Sequence, residues 1–275
     1  MQLDQTGKIR IVHNTNLGFN YLEKGDGPVI IFLHGISGNK EIWIPQLKLF
    51  SKQFRVISWD ARGYGQTEPI KESFDFGHFA RDLYVMTQHL NLDKIILCGH
   101  SMGGRIALDF SERYPKIVHS LILANTFFGY DESFTKVERL GFLKKRQKLL
   151  KDNGLTLRQF GEKIIPQMIG PHTSVPVKNK ILQTMLTLNV ESYLNTVESM
   201  VMYEKVCDLE SINVPTLIIT GSNDTIIPPA ISTQMNKRIR NSTLLVIKET
   251  GHFVNLESPQ LFNEAVLDFL NRLSF

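Results

Sequence analysis

The sequence predicts an α/β fold on a mostly parallel, eight-stranded sheet, and three observations carry that expectation. Short apolar runs suited to strands alternate with stretches of helical periodicity along most of the 275 residues. Several runs, such as Val29-Ile30-Ile31-Phe32-Leu33, are continuously apolar, as strands buried on both faces are. The third is Leu97-Cys98-Gly99-His100-Ser101-Met102-Gly103-Gly104, where Gly99-x-Ser101-x-Gly103 stands between a strand and a helix. A serine lifted above a sheet edge on so sharp a turn tolerates little bulk two residues to either side.

In chain order, residues 8–12 and 17–22 alternate like half-buried strands with turn residues between them. Residues 24–28 form a tight turn into the strand at 29–33, which ends in His34-Gly35-Ile36-Ser37-Gly38. A helix carrying Ile44, Leu47 and Phe50 leads to a second buried strand at 54–59, closed by Asp60-Ala61-Arg62-Gly63. Leu83, Met86 and Leu90 recur at helical spacing ahead of the strand at 95–98, and a helix with Ile106, Ala107 and Phe110 on one face follows. The next strand is 118–124. Helices of this length between strands imply right-handed crossovers, hence helices on both faces of the sheet.

The rhythm breaks after about residue 128. From there to 213 only helical stripes appear: Phe160, Ile164 and Met168; Ile181, Leu182, Met185 and Leu186; Tyr193, Val197, Met200 and Glu204. Because strands resume at 214–220 and 243–247, residues 129–213 are expected as a helical insertion into a core formed by 1–128 and 214–275. Ser258 as N-cap and Pro259 in the first turn open a last helix carrying Phe262, Val266, Phe269 and Leu273 on one face.

Composition sets few limits on function. A net charge of +4 calls for no nucleic-acid partner, and no run approaches the roughly 20 apolar residues of a membrane span. Two cysteines are too few for a disulfide framework, and the N-terminus lacks the apolar core of a secretory signal. These features lead to the expectation of a cytoplasmic protein with reduced thiols, with a homo-oligomer left open. No metal cluster, GxGxxG or phosphate loop is visible, so no cofactor or metal is expected.

In an open parallel sheet, ligands collect at the carboxyl ends of the strands. Those ends carry His34-Gly35, Asp60, Ser101, Asp224 and His252. A serine hydroxyl is a weak nucleophile at neutral pH and needs a base, which in turn needs a group to hold its tautomer. Ser101, Asp224 and His252 are therefore the candidate catalytic set. Asn223 and Asp208 compete for the acid, although Asn223 lacks charge and Asp208 precedes its strand. The developing oxyanion needs two N–H donors, expected from Met102 and Ile36. His34 and His100 are expected to make structural hydrogen bonds, and Asp60 and Arg62 to form a turn network.

The segments LHGISGN, DARGYGQT, GHSMGG, VPTLIITGSNDTIIPP and GHFVNLESP, in this order, resemble the α/β-hydrolase superfamily from about residue 17 onward. The likeness is strongest to 3-oxoadipate enol-lactonases, cofactor-free haloperoxidase/esterases and related carboxylesterases. It implies the α/β-hydrolase fold, the triad Ser101, Asp224 and His252, and a lid formed by the helical insertion. It also implies a serine hydrolase acting on a small-molecule ester or lactone. Dehalogenases and epoxide hydrolases of this type carry aspartate where Ser101 stands. Carbon–carbon bond hydrolases usually place asparagine and tryptophan where His100 and Phe253 stand, which ranks that alternative second. A thioesterase and a non-catalytic receptor on the same fold remain open.

Phe127, Phe128, Met200, Tyr203 and Phe253 are the candidate acyl-pocket residues, chosen for apolar character beside the expected site. Lys144-Lys145-Arg146, with Lys148 and Lys151, forms a basic run that either attracts an anion or is a solvated outer helix face; the second reading is favoured here.

Overall fold

The structure is a computed structural model that describes residues 9–14, 19–130 and 134–274. Its sheet has eight strands: β1 (Arg10–Asn14), β2 (Phe19–Lys24), β3 (Val29–Leu33), β4 (Arg55–Asp60), β5 (Ile95–His100), β6 (Val118–Ala124), β7 (Thr216–Gly221) and β8 (Ser242–Ile247). Their spatial order is β1-β2-β4-β3-β5-β6-β7-β8. β1 and β2 pair antiparallel with each other, and β2 with β4; all other pairs are parallel.

The helices in the core are α1 (Ile44–Phe50), α2 (His78–His89) and α3 (Met102–Arg113); α4 (Lys136–Gln147), α5 (Leu157–Ile164), α6 (Val175–Met185) and α7 (Val190–Met202) lie between β6 and β7. α8 (Pro229–Arg238), α9 (Val254–Glu257) and α10 (Pro259–Leu270) complete the chain. From β3 the chain crosses to β4 on one side, whereas from β5 it crosses to β6 on the other. Right-handed crossovers in opposite directions put α1 and α2/α3 on opposite faces of the sheet. They also open a crevice at the carboxyl ends of the adjacent strands β3 and β5, where the strand order reverses.

The parallel centre is largely apolar: Ile30 to Leu33, Val56, Ile57 and Ile95 to Cys98 are all buried, with Ser58 and Ser120 as buried polar exceptions. On the α1 face, Phe32 stacks on Trp43 at 4.7 Å, and Trp43 meets Phe262 of α10 at 6.0 Å, which ties the C-terminal helix to the first crossover. Burying an aromatic side chain contributes about 1.5–3 kcal/mol, so this column anchors the last helix. Ser258 precedes α10 as expected, but its hydroxyl bonds Thr250 at 2.7 Å rather than capping the helix.

The outer strands end later than the alternation suggests. β1 and β2 run to Asn14 and Lys24 because their ladder continues into β4, with Asn20 opposite Asp60 and Lys24 opposite Val56. The expected starts at Lys8 and Leu17 lie outside the described residues. Among the described residues, no helix is long and apolar enough to cross a membrane. Both cysteines are free and buried, and burial pushes the Cys98 thiol well above its usual value.

Candidate active site

Ser101 follows β5 with φ 54° and ψ −118°, a backbone conformation that costs a non-glycine residue about 1–3 kcal/mol. Four hydrogen bonds hold it there. Its N–H donates to the Ala124 carbonyl at 2.9 Å, and its carbonyl accepts from Thr126 Oγ1 at 2.6 Å and from the N–H groups of Gly104 and Arg105. The flanking glycines answer a steric demand: a Cβ on Gly99 would sit 2.4 Å from the Gly103 carbonyl carbon, and one on Gly103 would sit 2.2 Å from the Leu33 oxygen.

Asp224 follows β7 and is 4% exposed. Its Oδ1 accepts the N–H groups of Ile226 and Ile227 at 2.9 and 3.0 Å, and its Oδ2 accepts Asn125 Nδ2 and His252 Nδ1, each at 2.8 Å. Burial alone would raise its pKa. The charge of His252 and these four donors outweigh burial and hold the carboxyl below its ordinary value. Since Nδ1 donates to Asp224, Nε2 of a neutral His252 is left as the acceptor. Asp208 is exposed and takes its place beside Glu112, and Asn223 is exposed too, so neither competitor meets the histidine.

Three contacts place the His252 loop. The His252 N–H donates to the Met168 carbonyl at 2.6 Å, so the helical insertion itself holds this loop. Glu257 accepts Gly251 N–H and Phe253 N–H on either side, at 3.1 and 2.9 Å, and Gly170 N–H and Thr173 Oγ1 from the insertion at 2.6 Å each. His100 Nε2 donates to the His252 carbonyl at 2.7 Å. His34 donates from Nδ1 to the Gly35 carbonyl at 2.8 Å and accepts the Ala61 N–H at Nε2 at 3.0 Å. Asp60 receives Lys40 and the Gln66 N–H, and Arg62 pairs with Asp82, so these two fix the loop after β4.

Burial lowers the pKa of both His34 and His100, and with the added repulsion of His252 that of His100 falls to about 3. The unfolded chain takes up these protons near pH 6.5. Below that pH the unfolded state binds more protons than the folded one, so stability should be full above about pH 6.5 and fall as pH drops toward 3. Each histidine adds up to about 1.4 kcal/mol per pH unit to that slope. In urea titrations between pH 6 and 4.5, His100→Asn should lower the slope by about one histidine's share; an unchanged slope would contradict the buried, neutral ring.

The N–H groups of Ile36 and Met102 donate to no protein acceptor among the described residues. Met102 opens α3, where the first helical amides are free by geometry. Ser101, His252 and Ile36 line one cavity of about 340 Å³ together with Phe127, Tyr130, Phe134, Phe142, Met168, Met200 and residues 225–228. Charged side chains also reach it, namely Glu138, Arg139 and Arg146 of α4. A larger surface cleft of about 560 Å³ beside Asp60, Arg62 and Phe74 contains neither Ser101 nor His252.

Of the expected pocket residues, Phe127 and Met200 line this cavity and three do not. Phe128, the next side chain along, turns away and packs under the Arg238 guanidinium at 5.2 Å. Tyr203 follows the end of α7 with ψ 96° and bonds Arg113 and Asp109 while packing on Phe76. Phe253 is buried against His100 at 5.4 Å and lines instead a small crevice of about 10 Å³ that also touches Ser101 and His252. Glu204 is likewise outside the buried stripe, exposed and paired with Arg139. The basic run is divided: Lys144 and Lys145 face outward as expected, but Arg146 is 8% exposed and faces the cavity. Asn125, unrecognised in the sequence, is the first residue past β6 and a direct partner of Asp224; a polar residue at a strand's carboxyl end was the signal.

A serine on a strained strand-to-helix turn, at the switch point of a mostly parallel sheet with a histidine–aspartate pair beside it, defines the α/β-hydrolase class of protein. A profile of the alpha/beta hydrolase fold family matches residues 28–259, and the chain belongs to that family. It is 26% identical over 264 residues to (E)-2-((N-methylformamido)methylene)succinate hydrolase of Acinetobacter baylyi, covering 94% of this chain and 95% of that protein. It is 25% identical to 3-oxoadipate enol-lactonase 2 of the same organism, with the same coverage. Among solved structures it is similar to a thermophilic esterase from Thermogutta terrifontis with malate bound: TM-score 0.82, 27% identity, 96% of this chain and 98% of that one.

Proposed function

We propose that this hydrolase-family protein cleaves a small carboxylic ester or lactone through an acyl-enzyme on Ser101. The observation that carries the reading is the His252–Asp224 bond of 2.8 Å, made by a fully hydrogen-bonded carboxylate and set beside Ser101 in one shared cavity. Ser101 Oγ attacks the carbonyl carbon as His252 Nε2 takes its proton, and the Ile36 and Met102 amides receive the oxyanion. His252 returns the proton to the departing alkoxide. Water activated by the same histidine then releases the acid.

The Asp224 carboxylate keeps His252 in the tautomer this needs and stabilises its charged form. The enol-lactonase and esterase among the similar proteins support an ester or lactone. The cavity volume lies at the small end for ligand pockets, which favours a short acyl group. Initial rates on p-nitrophenyl esters from acetate to decanoate test the reading: hydrolysis should be measurable and greatest below about eight carbons. A purified, folded protein inert across that series and on small lactones would overturn it.

A further inference from the structure

We infer that Arg146 is a substrate-binding residue and that the substrate carries a carboxylate besides its scissile bond. This rests on the ester or lactone reading and names the substrate class within it. α4 points Glu138, Arg139, Phe142 and Arg146 into the cavity that also holds Ser101 and His252. A capping box at Thr135 and Glu138 fixes the start of this helix, and its last turn continues into a π-helical segment at Lys148–Asp152. The spacing of Arg139, Phe142 and Arg146 puts the three on one face.

The other charges in the cavity are already occupied. Glu138 accepts the Thr135 N–H at 2.8 Å and its hydroxyl at 2.7 Å. Arg139 is paired with Glu204, its Nη2 donating to both carboxylate oxygens at 2.9 and 3.0 Å. Asp224 lies behind His252 with four donors. Arg146 is different. It donates from Nε to the Tyr193 hydroxyl at 3.0 Å and from Nη1 to the Phe142 carbonyl at 3.1 Å, and its guanidinium lies over the Phe142 ring. These contacts hold the group in place but do not neutralise it. No carboxylate among the described residues lies within ion-pair distance, and Nη2 donates to no described residue.

A buried guanidinium without an anion is unfavourable. Arg146 lines both the cavity that holds Ser101 and a second cleft of about 260 Å³ beside it. The second cleft carries a further cation, Lys145, but neither Ser101 nor His252, so the anion of a reacting substrate is drawn to the first. A planar fork held on one side by a tyrosine and a carbonyl, and free on the other, matches a carboxylate.

The test compares monoethyl succinate with ethyl 4-methylpentanoate, its uncharged counterpart of similar shape, by acid release at constant pH. Arg146→Met should lower the kcat/KM ratio of the charged over the neutral ester by about 10- to 100-fold, mainly through KM, as expected for loss of one charge-assisted pair. Arg146→Lys should retain part of the preference. A purely structural role would depress both esters together and leave the ratio unchanged, which would overturn the proposal.

Calorimetric titration of succinate into Ser101→Ala protein, with and without Arg146→Met, decides the point independently of turnover. Binding should weaken at least 10-fold in the double variant. Equal binding, no binding in a protein that hydrolyses the neutral ester, or tighter binding of methyl phosphate than of succinate would each overturn it. Succinate binding through Arg146 in a protein that hydrolyses neither ester would instead remove the ester reading and keep the carboxylate site.

Discussion

Ser101→Ala should reduce turnover of a short ester by at least four orders of magnitude while leaving the thermal unfolding midpoint nearly unchanged. The loss follows from chemistry with no substitute at hand: without Oγ there is no acyl-enzyme, and water would have to occupy a site shaped around a serine. Four decades correspond to about 5.4 kcal/mol of transition-state stabilisation. What remains should be the smaller contribution of the Ile36 and Met102 amides and of substrate binding. Stability should hold because the elbow depends on backbone bonds to Ala124, Thr126, Gly104 and Arg105, which an alanine keeps. His252→Ala should cost about as much, and the double variant little more than either alone, since the two act as a unit.

Asp224→Asn should be the second largest effect, about 10⁴ in kcat, with the fold retained. Oδ1 can go on accepting the Ile226 and Ile227 amides, but an NH₂ then replaces Oδ2 and faces two donors, Asn125 Nδ2 and His252 Nδ1. Asn125 can adapt, because its Oδ1 has no partner and a flip of its amide presents that oxygen. His252 can adapt only by moving its proton to Nε2, which removes the base that the proposed mechanism needs. Rates and unfolding midpoints measured together check this. Asp208→Asn, at an exposed position, should change kcat by less than about twofold. The opposite ranking would move the acid to Asp208.

The elbow was legible because its demands are local: a strand, a serine between glycines and a helix start, all within ten residues of sequence. Asp224 and His252 could be paired with it because strand order and chain order together put them on one sheet edge. The pocket wall was not legible in the same way. Phe127 and Phe128 are equal as apolar residues, and only the turn of the chain after β6 decides which one faces the cavity. Tyr203 shares a helical spacing with Met200, but α7 ends one residue before it, so periodicity continued where the helix did not.

Arg146 shows the same limit for charge. Within a run of lysines it looks solvated, yet it falls on the inner face of α4 with Leu143, while Lys144 and Lys145 point out. Packing of the inserted helices against the core sets that face, and a single helix's spacing does not determine it. The insertion also reaches the site through the Met168 carbonyl on the His252 N–H and through the bonds to Glu257, so it holds the histidine loop as well as lining the cavity.

The central claim is that Ser101 forms the covalent intermediate. An ester-like p-nitrophenyl alkylphosphonate is attacked as an ester is, but leaves a stable adduct on the nucleophile. Mass spectrometry of the treated protein should show a single added phosphonyl group, and peptide mapping should place it on Ser101, with inactivation proportional to labelling and no label on Ser101→Ala protein. Label on another residue with matching loss of activity, or full ester hydrolysis by protein lacking Oγ at position 101, would contradict the account.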